Sequence, residues 1–321
     1  MDDSIVSILM ASYNGELYIE KQVLSIINQT YSNWKLYISD DGSSDSTIKT
    51  IRKFAETDSR IEVLFNDSKF HGPYGNFWNL INRIQKENNS SDYFMFADQD
   101  DIWLPNKIHL LVEEMKKREL EFPKIPILLY TDMKIIDSDD NGVVHSVNSQ
   151  FRISMNNPKE IFFAHAYVSG CTTIFNKLLL NEVDFVIDKN VNLYSHDNFF
   201  AKVCTLRGKI FFIETPTILY RKHGQNVTNS QTLNNSINSL IKKINISQSA
   251  RTHALVFRHS LKVIDSLNID TNDVKSMRKA ILDGGISGIK YLKKEKIHRN
   301  NFLRDMGLKY ILLTKKYKKY L

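Results

Sequence analysis

Tyr93-Phe94-Met95-Phe96-Ala97-Asp98-Gln99-Asp100-Asp101-Ile102-Trp103-Leu104-Pro105 is the stretch on which the fold turns. Tyr93 to Ala97 are all apolar or aromatic and match a short, fully buried strand of a parallel sheet. Asp98, Asp100 and Asp101 then follow at the point where such a strand ends. Pro105 suits the first position of a helix, and Lys107 to Lys117 carries the helical pattern. Open α/β sheets bind ligands at the carboxyl ends of their strands. Carboxylates packed there repel one another unless a cation or a hydrogen-bond network compensates them. Oxygen ligands of this kind suit Mg²⁺ or Mn²⁺, shared with the phosphates of a substrate. An isolated D-x-D pattern also occurs as a solvated acidic turn, so this spacing alone leaves both readings open.

The flanking sequence supplies the rest of a sheet. Ile5 to Met10 is an apolar strand, and Glu16 to Ile27 has helical spacing through Leu17, Val23, Leu24 and Ile27. Trp34 to Ile38 is a second strand that ends in Ser39-Asp40-Asp41-Gly42-Ser43-Ser44-Asp45, with Asp45 or Ser44 placed to cap a helix running to about Thr57. Ile61 to Phe65 is a third strand and Gly75 to Lys86 a third helix, so the acid-rich strand is the fourth. This alternation predicts a mostly parallel sheet with helices on both faces. No G-x-G-x-x-G follows the first strand and no G-x-x-x-x-G-K-[ST] occurs, which removes the main support for dinucleotide and P-loop chemistry.

Beyond Pro126 the pattern loosens. Ile127 to Thr131 reads as a strand, and Met133 to Val147 alternates about a hairpin turn at Asp139-Asp140-Asn141-Gly142. Pro158 to Ala164 reads as a short helix, Tyr167 to Phe175 as extended, and Ser195 to Leu206 as a helix. Lys209 to Ile213 and Thr217 to Tyr220 read as two strands. The polar stretch Asn226 to Asn238 marks the expected boundary between a domain of residues 1–230 and a basic helical region of residues 231–321.

Charge divides the chain at the same place. Residues 1–230 hold 24 Lys+Arg against 30 Asp+Glu, whereas residues 231–321 hold 19 against 6, so the C-terminal region expects an anionic surface as partner. Within it Ile289, Leu292, Ile297, Leu303, Leu308, Ile311 and Leu312 mix with Lys and Arg, as in an interfacial helix or in an ordinary bundle with a basic face. No apolar run approaches the about 20 residues needed to cross a bilayer, and Met1-Asp2-Asp3-Ser4 lacks the character of a signal peptide. Cys171 and Cys204, in apolar surroundings, are expected to be reduced and buried in a cytoplasmic protein.

The motifs in order resemble those of an inverting family-two glycosyltransferase with the GT-A fold, similar to bacterial rhamnosyltransferase-like enzymes. They are Val6-Ser7-Ile8-Leu9-Met10-Ala11-Ser12-Tyr13-Asn14-Gly15, Ser39 to Asp45, Ala97 to Trp103, Ser169-Gly170-Cys171, His196-Asp197 and Tyr220-Arg221-Lys222-His223. Each alone is weak, but six in register across residues 4–230 are specific. The resemblance implies a UDP- or dTDP-sugar donor, with Tyr13 stacked on the pyrimidine and Asp41 accepting its N3–H. It implies Asp98 at the ribose and metal region, Asp100 and His223 as ligands of Mn²⁺ or Mg²⁺, and Arg221 against a phosphate or a nearby acid. Asp197 becomes the base that takes the acceptor proton, with His196 supporting it, while Asp40 serves the turn. Asn198 departs from the tryptophan common in rhamnosyltransferase relatives, which leaves the sugar and acceptor open.

The resemblance further implies a lipid-linked glycan acceptor, a part in cell-surface polysaccharide synthesis, and a peripheral position on the cytoplasmic face of a bacterial plasma membrane. Two competing readings are a nucleotidyltransferase and a non-catalytic sugar-nucleotide or glycan-binding scaffold. The first wants a Gly-rich loop with a basic residue after the first strand, and Ala11 to Glu16 has neither; the second wants Asp100 or Asp197 missing, and both are present. Nucleic-acid binding is disfavoured, because Tyr291, Tyr310, Tyr317 and Tyr320 recur among apolar residues at helical spacing.

Overall fold

The computed structural model describes residues 4–87, 89–155, 157–164, 168–183, 195–224, 246–299 and 301–321. The expected boundary stretch Asn226 to Asn238 lies outside them. The chain divides into two compact units, one of residues 1–151 and 168–227 and the other of residues 152–167 and 228–321.

The first unit is built on a mostly parallel sheet. Its parallel core comprises β1 (Val6–Ser12), β2 (Trp34–Asp40), β3 (Ile61–Phe65) and β4 (Tyr93–Asp98), separated by α1 (Ile19–Ile27), α2 (Thr47–Thr57) and α3 (Gly72–Lys86). After β4 come the two-residue β5 (Ile102–Trp103), α4 (Lys107–Glu121), β6 (Ile127–Ile136), β7 (Gly142–Val144) and α5 (Val147–Phe151). Then follow β8 (Thr173–Asn176), α6 (Lys177–Glu182), α7 (His196–Arg207) and β9 (Lys209–Arg221). The strand order is β3-β2-β1-β4-β8-β6-β9-β5, with β7 beside β6.

Chain order reverses where β1 lies between β2 and β4, and register there decides where chemistry can sit. Ala11 faces Asp98 on β4, and Ser12 faces Asp40 on β2. The carboxyl ends of three strands therefore open at one edge, the switch point at which ligands of such sheets bind. Ile8, Met10, Leu36, Ile38, Met95 and Ala97 are fully buried beneath that edge, so the strand tips rest on a packed core. β8 enters antiparallel to both β4 and β6, and β9 returns parallel to β6.

Two details differ from the sequence pattern. Residues 209–221 form one strand instead of two, irregular where Pro216 stands opposite Asp132. Proline cannot donate to the ladder, so pairing shifts there and resumes. The segment around residue 170 is a 3₁₀ turn (Gly170–Thr172) before β8, not a continuous extended run. Cys171 and Cys204 are free and buried, as expected.

The second unit is helical, with α8 (Ile246–Leu267), α9 (Asn272–Asp283), α10 (Gly285–Lys294) and α11 (Phe302–Thr314). Gly284 and Gly285 both adopt positive φ between α9 and α10, and a Cβ on Gly284 would lie 2.5 Å from the Tyr317 hydroxyl. That hydroxyl donates to the Ile281 carbonyl, fastening the C-terminal turn to α9. Leu292, Ile297, Leu308, Ile311 and Leu312, which the sequence offered to an interface, are buried in this bundle, whereas Leu303 is exposed.

Candidate active site

The first loop of the site is fixed by backbone, not by bulk. Gln99, the middle residue of Asp98-Gln99-Asp100, forms a reciprocal amide pair with Tyr13: the Tyr13 N–H donates to Oε1 at 2.9 Å and Nε2 donates to the Tyr13 carbonyl at 2.9 Å. A Cβ at Gly15 would lie 2.3 Å from Gln99 Oε1, so a side chain there would push the Gln99 amide off Tyr13. The Tyr13 side chain itself is 56% exposed, with its ring free to cover a planar ligand.

Asp40 and Asp41 are held by different donors. Asp40 is fully buried and accepts from the Gly42 and Ser43 N–H groups and from the Ser12 and Ser43 hydroxyls, which fixes the turn. The Asp41 side chain, only 6% exposed, accepts from Asn66 Nδ2 at 2.6 Å, His71 Nδ1 at 2.8 Å and the Gly72 N–H at 2.7 Å. An ionised carboxylate has about four acceptor positions, so three donors orient it and leave room for one more.

The acidic centre sits at the tip of β4. His223 Nε2 lies 2.8 Å from Asp100 Oδ2, so the two residues that the motifs named as metal ligands meet across more than a hundred positions of sequence. The Tyr18 ring packs beside the imidazole with centroids 4.8 Å apart. Asp98 stands next to them. Burial raises its carboxyl above the ordinary range, and the charges of Asp100 and Asp197 add to the effect. Carboxylate oxygens plus one imidazole suit a hard divalent cation, which would relieve that repulsion.

A second grouping lies deeper, where ligand atoms of Asp98, Asp101 and Cys171 fall within 4.8 Å of one another. It suits a cation less well. Burial pushes the Cys171 thiol far up, so it stays protonated, and burial likewise raises Asp101. Lys107 already stands among these groups: burial lowers its pKa to about 7, and Cys171, Asp101 and Asp98 act against that fall.

Of the two contacts open to it, a phosphate or an acid, Arg221 shows the one to an acid. Its side chain is fully buried. The backbone N–H donates to Asp101 Oδ1 at 3.0 Å, Nε to the Asp100 carbonyl at 2.9 Å and Nη1 to the Asp137 carbonyl at 3.2 Å, with an ion pair to Asp140. A guanidinium held in this way braces the acidic loop against the β6–β7 turn.

Asp197 opens α7. Its Oδ2 accepts the Gly170 N–H at 3.1 Å, and Oδ1 accepts the Asn198 N–H at 2.6 Å. His196 beside it is buried, stacked on Phe77 at 3.9 Å and edge-on to Phe96 at 4.4 Å. Burial lowers its pKa to about 4, so the ring is neutral and acts as packing under the helix start. Burial raises the phenol of Tyr74, and the charges of Asp197 and Asp98 raise it further.

Tyr74, His71, Gln99 and Lys107 did not stand out in the sequence. Only Lys107 carried a signal: a lysine on the first turn of a helix, where the dipole disfavours a cation.

A family model described as "Glycosyl transferase family 2" matches residues 7–182. The dTDP-rhamnosyl transferase RfbG of Shigella flexneri is 32% identical over 223 residues, 68% of this chain and 72% of that protein. The UDP-Glc:alpha-D-GlcNAc-diphosphoundecaprenol beta-1,3-glucosyltransferase WfgD of Escherichia coli is 31% identical over 185 residues, 58% of this chain and 65% of its own length. Among solved structures, S. aureus TarS 1-349 in complex with UDP gives a TM-score of 0.56 at 16% identity, covering 87% of this chain and 70% of that one. The mannosyltransferase PcManGT from Pyrobaculum calidifontis, in complex with GDP-Man and Mn²⁺, gives 0.51 at 13% identity over 98% of this chain and 86% of that one. At such identities these two likenesses concern the fold alone, and it is the GT-A fold.

Proposed function

The chain belongs to glycosyl transferase family 2, and from that premise we propose that it moves a sugar from a UDP- or dTDP-sugar to a hydroxyl of a lipid-linked glycan, with inversion, in cell-surface polysaccharide synthesis. The observation that carries this reading is the meeting of Asp100 with His223 beyond the tip of β4, with Tyr13 and Asp41 following β1 and β2 at the same sheet edge and Asp197 tied to the turn before β8 by the Gly170 N–H.

Tyr13 covers the face of a pyrimidine, and the remaining acceptor position of Asp41 takes its N3–H, a contact that adenine's unprotonated ring nitrogens cannot make. Asp98, Asp100 and His223 would hold Mn²⁺ or Mg²⁺, which neutralises the diphosphate as it leaves. Asp197, held by the Gly170 N–H through Oδ2, removes the acceptor hydroxyl proton as that oxygen attacks the anomeric carbon opposite the leaving group. A single displacement inverts that carbon.

A donor screen tests this. With Mn²⁺ present, the protein is expected to release nucleotide diphosphate from at least one UDP- or dTDP-sugar, read by a coupled diphosphate assay. Release from GDP-sugars alone would reject the pyrimidine reading, and release from none, with binding retained, would favour a scaffold.

The helical unit supports a peripheral attachment to an anionic membrane, the surface on which a lipid-linked acceptor lies. On α11, Phe302, Leu303, Met306, Tyr310 and Leu313 are all exposed, Phe302 by 76%. Residues 306–321 add five lysines and no acid. An apolar stripe flanked by lysine is the composition of an interfacial helix. Among the described residues no helix is long and apolar enough to cross a membrane. Sedimentation with liposomes should therefore show binding that needs anionic lipid and weakens with salt. Replacing Phe302 and Leu303 with serine should cut it by about tenfold or more, since each buried side chain is worth roughly 1.5–3 kcal/mol. Equal indifference to neutral and anionic vesicles would remove the membrane from this reading.

A further inference from the structure

Lys107 is the first residue of α4 and is fully buried, yet the mechanism above gives it nothing to do. Burying an ammonium is costly unless it is paired, and the start of a helix is the wrong end of the dipole for a cation. The residues around it show what holds it there. Nζ donates to the Cys171 carbonyl and lies 3.8 Å from the centroid of the Trp103 ring, beside the grouping of Asp98, Asp101 and Cys171.

Cys171 is the middle of the 3₁₀ turn Gly170–Thr172, whose other side meets the proposed base. The Gly170 N–H donates to Asp197 Oδ2. A Cβ on Gly170 would lie 3.0 Å from His196 Nε2 and 3.3 Å from Asp197 Cβ, so the turn is wedged against the start of α7 with no slack. Its own carbonyls are tied down as well: Thr173 Oγ1 donates to the Gly170 carbonyl at 2.8 Å and Thr172 Oγ1 to the Ser169 carbonyl at 2.7 Å. The chain of contacts runs from Lys107 through the Cys171 carbonyl and the Gly170 N–H to the carboxylate of Asp197.

We infer that Lys107 is a positioning residue: through the Cys171 carbonyl it sets the turn whose Gly170 N–H aims Asp197 at the acceptor hydroxyl. This rests on the reading of Asp197 as base. It adds that the base is aimed from the acidic side of the site, by a residue that touches no substrate. A displacement of about 1 Å in a reacting group can cost on the order of 10²-fold in rate, so a loosened turn is expected to show in turnover.

The test is a double-mutant cycle on the full chain. Lys107→Met should lower kcat by about tenfold to a hundredfold while the donor KM and the Kd for UDP with Mn²⁺ stay within about twofold. In an Asp197→Asn background the same change should alter the residual rate by less than about twofold, since a base that is absent cannot be misaimed. Thr173→Val loosens the same turn without touching charge and should reproduce the pattern, which keeps the inference testable if Lys107→Met fails to fold. Equal losses in both backgrounds would overturn it and assign Lys107 to the fold or the acidic centre. Full turnover in Asp197→Asn alone would instead remove the base, and this inference with it.

Discussion

An Asp100→Asn protein is expected to lose at least 10²–10³-fold in kcat, the usual cost of deleting one preorganised stabiliser of developing charge, and to bind Mn²⁺ with UDP much more weakly. Asparagine keeps the size of the side chain and the backbone carbonyl that Arg221 Nε uses, so the loop stays braced. What is removed is one anionic oxygen pair facing His223. A titration of Mn²⁺ in the presence of UDP, followed by electron paramagnetic resonance, measures the binding side directly, and steady-state kinetics measures the rest. Undiminished turnover of the unaltered protein in excess chelator would show that no divalent ion takes part.

Asp197→Asn should separate chemistry from binding. The amide oxygen can still accept the Gly170 N–H that Asp197 Oδ2 accepts at 3.1 Å, and the first turn of α7 is preserved. The proposed donor site at Tyr13, Asp41 and the β4 tip keeps its own residues in this variant. Loss of a positioned base costs about 10²–10⁴-fold in rate, so kcat should fall by that factor with the Kd for donor unchanged. A variant that stops binding donor but turns over what it binds would make Asp197 structural.

The parallel core and the place of the site were legible because both follow from local pattern. Tyr93 to Ala97 is apolar through five positions, and a strand so written must be buried on both faces, which puts Asp98 at a strand end. The meeting of Asp100 with His223 was legible only through the order of motifs, since no spacing rule links residues so far apart. For Arg221 a phosphate and an acid both stayed open, because a residue's type states what it is able to bind, not which way its strand turns it. Its place on β9 directs the guanidinium inward, to the Asp137 carbonyl and Asp140.

Gln99 was passed over as the unspecified middle of a D-x-D, although its amide alone can pair with both backbone groups of Tyr13. The apolar residues of the basic region divided between core and surface by a fraction of a helical turn. Leu308, Ile311 and Leu312 face inward while Met306, Tyr310 and Leu313 face out, a distinction composition does not carry. The short segment 152–167 clusters with the helical unit because of contacts such as the Ser260 hydroxyl on the Phe162 carbonyl, which no local pattern announces.

The brace formed by Arg221 bears on how such enzymes can be recombined. Splicing the donor-facing strands of one relative to the acceptor-facing strands of another calls for a cut between β4 and β8. In this chain a cut that keeps the loop after β4 with β4 would separate Arg221 from the Asp100 carbonyl and the Asp101 carboxylate, while Asp140, in the β6–β7 turn, stays on the side of β9. A graft would then bury a guanidinium against a foreign loop, and an uncompensated buried charge costs several kcal/mol. The donor and acceptor halves are thus inherited together: an exchange of sugar specificity has to carry the β4 loop, the β6–β7 turn and the end of β9 as one set.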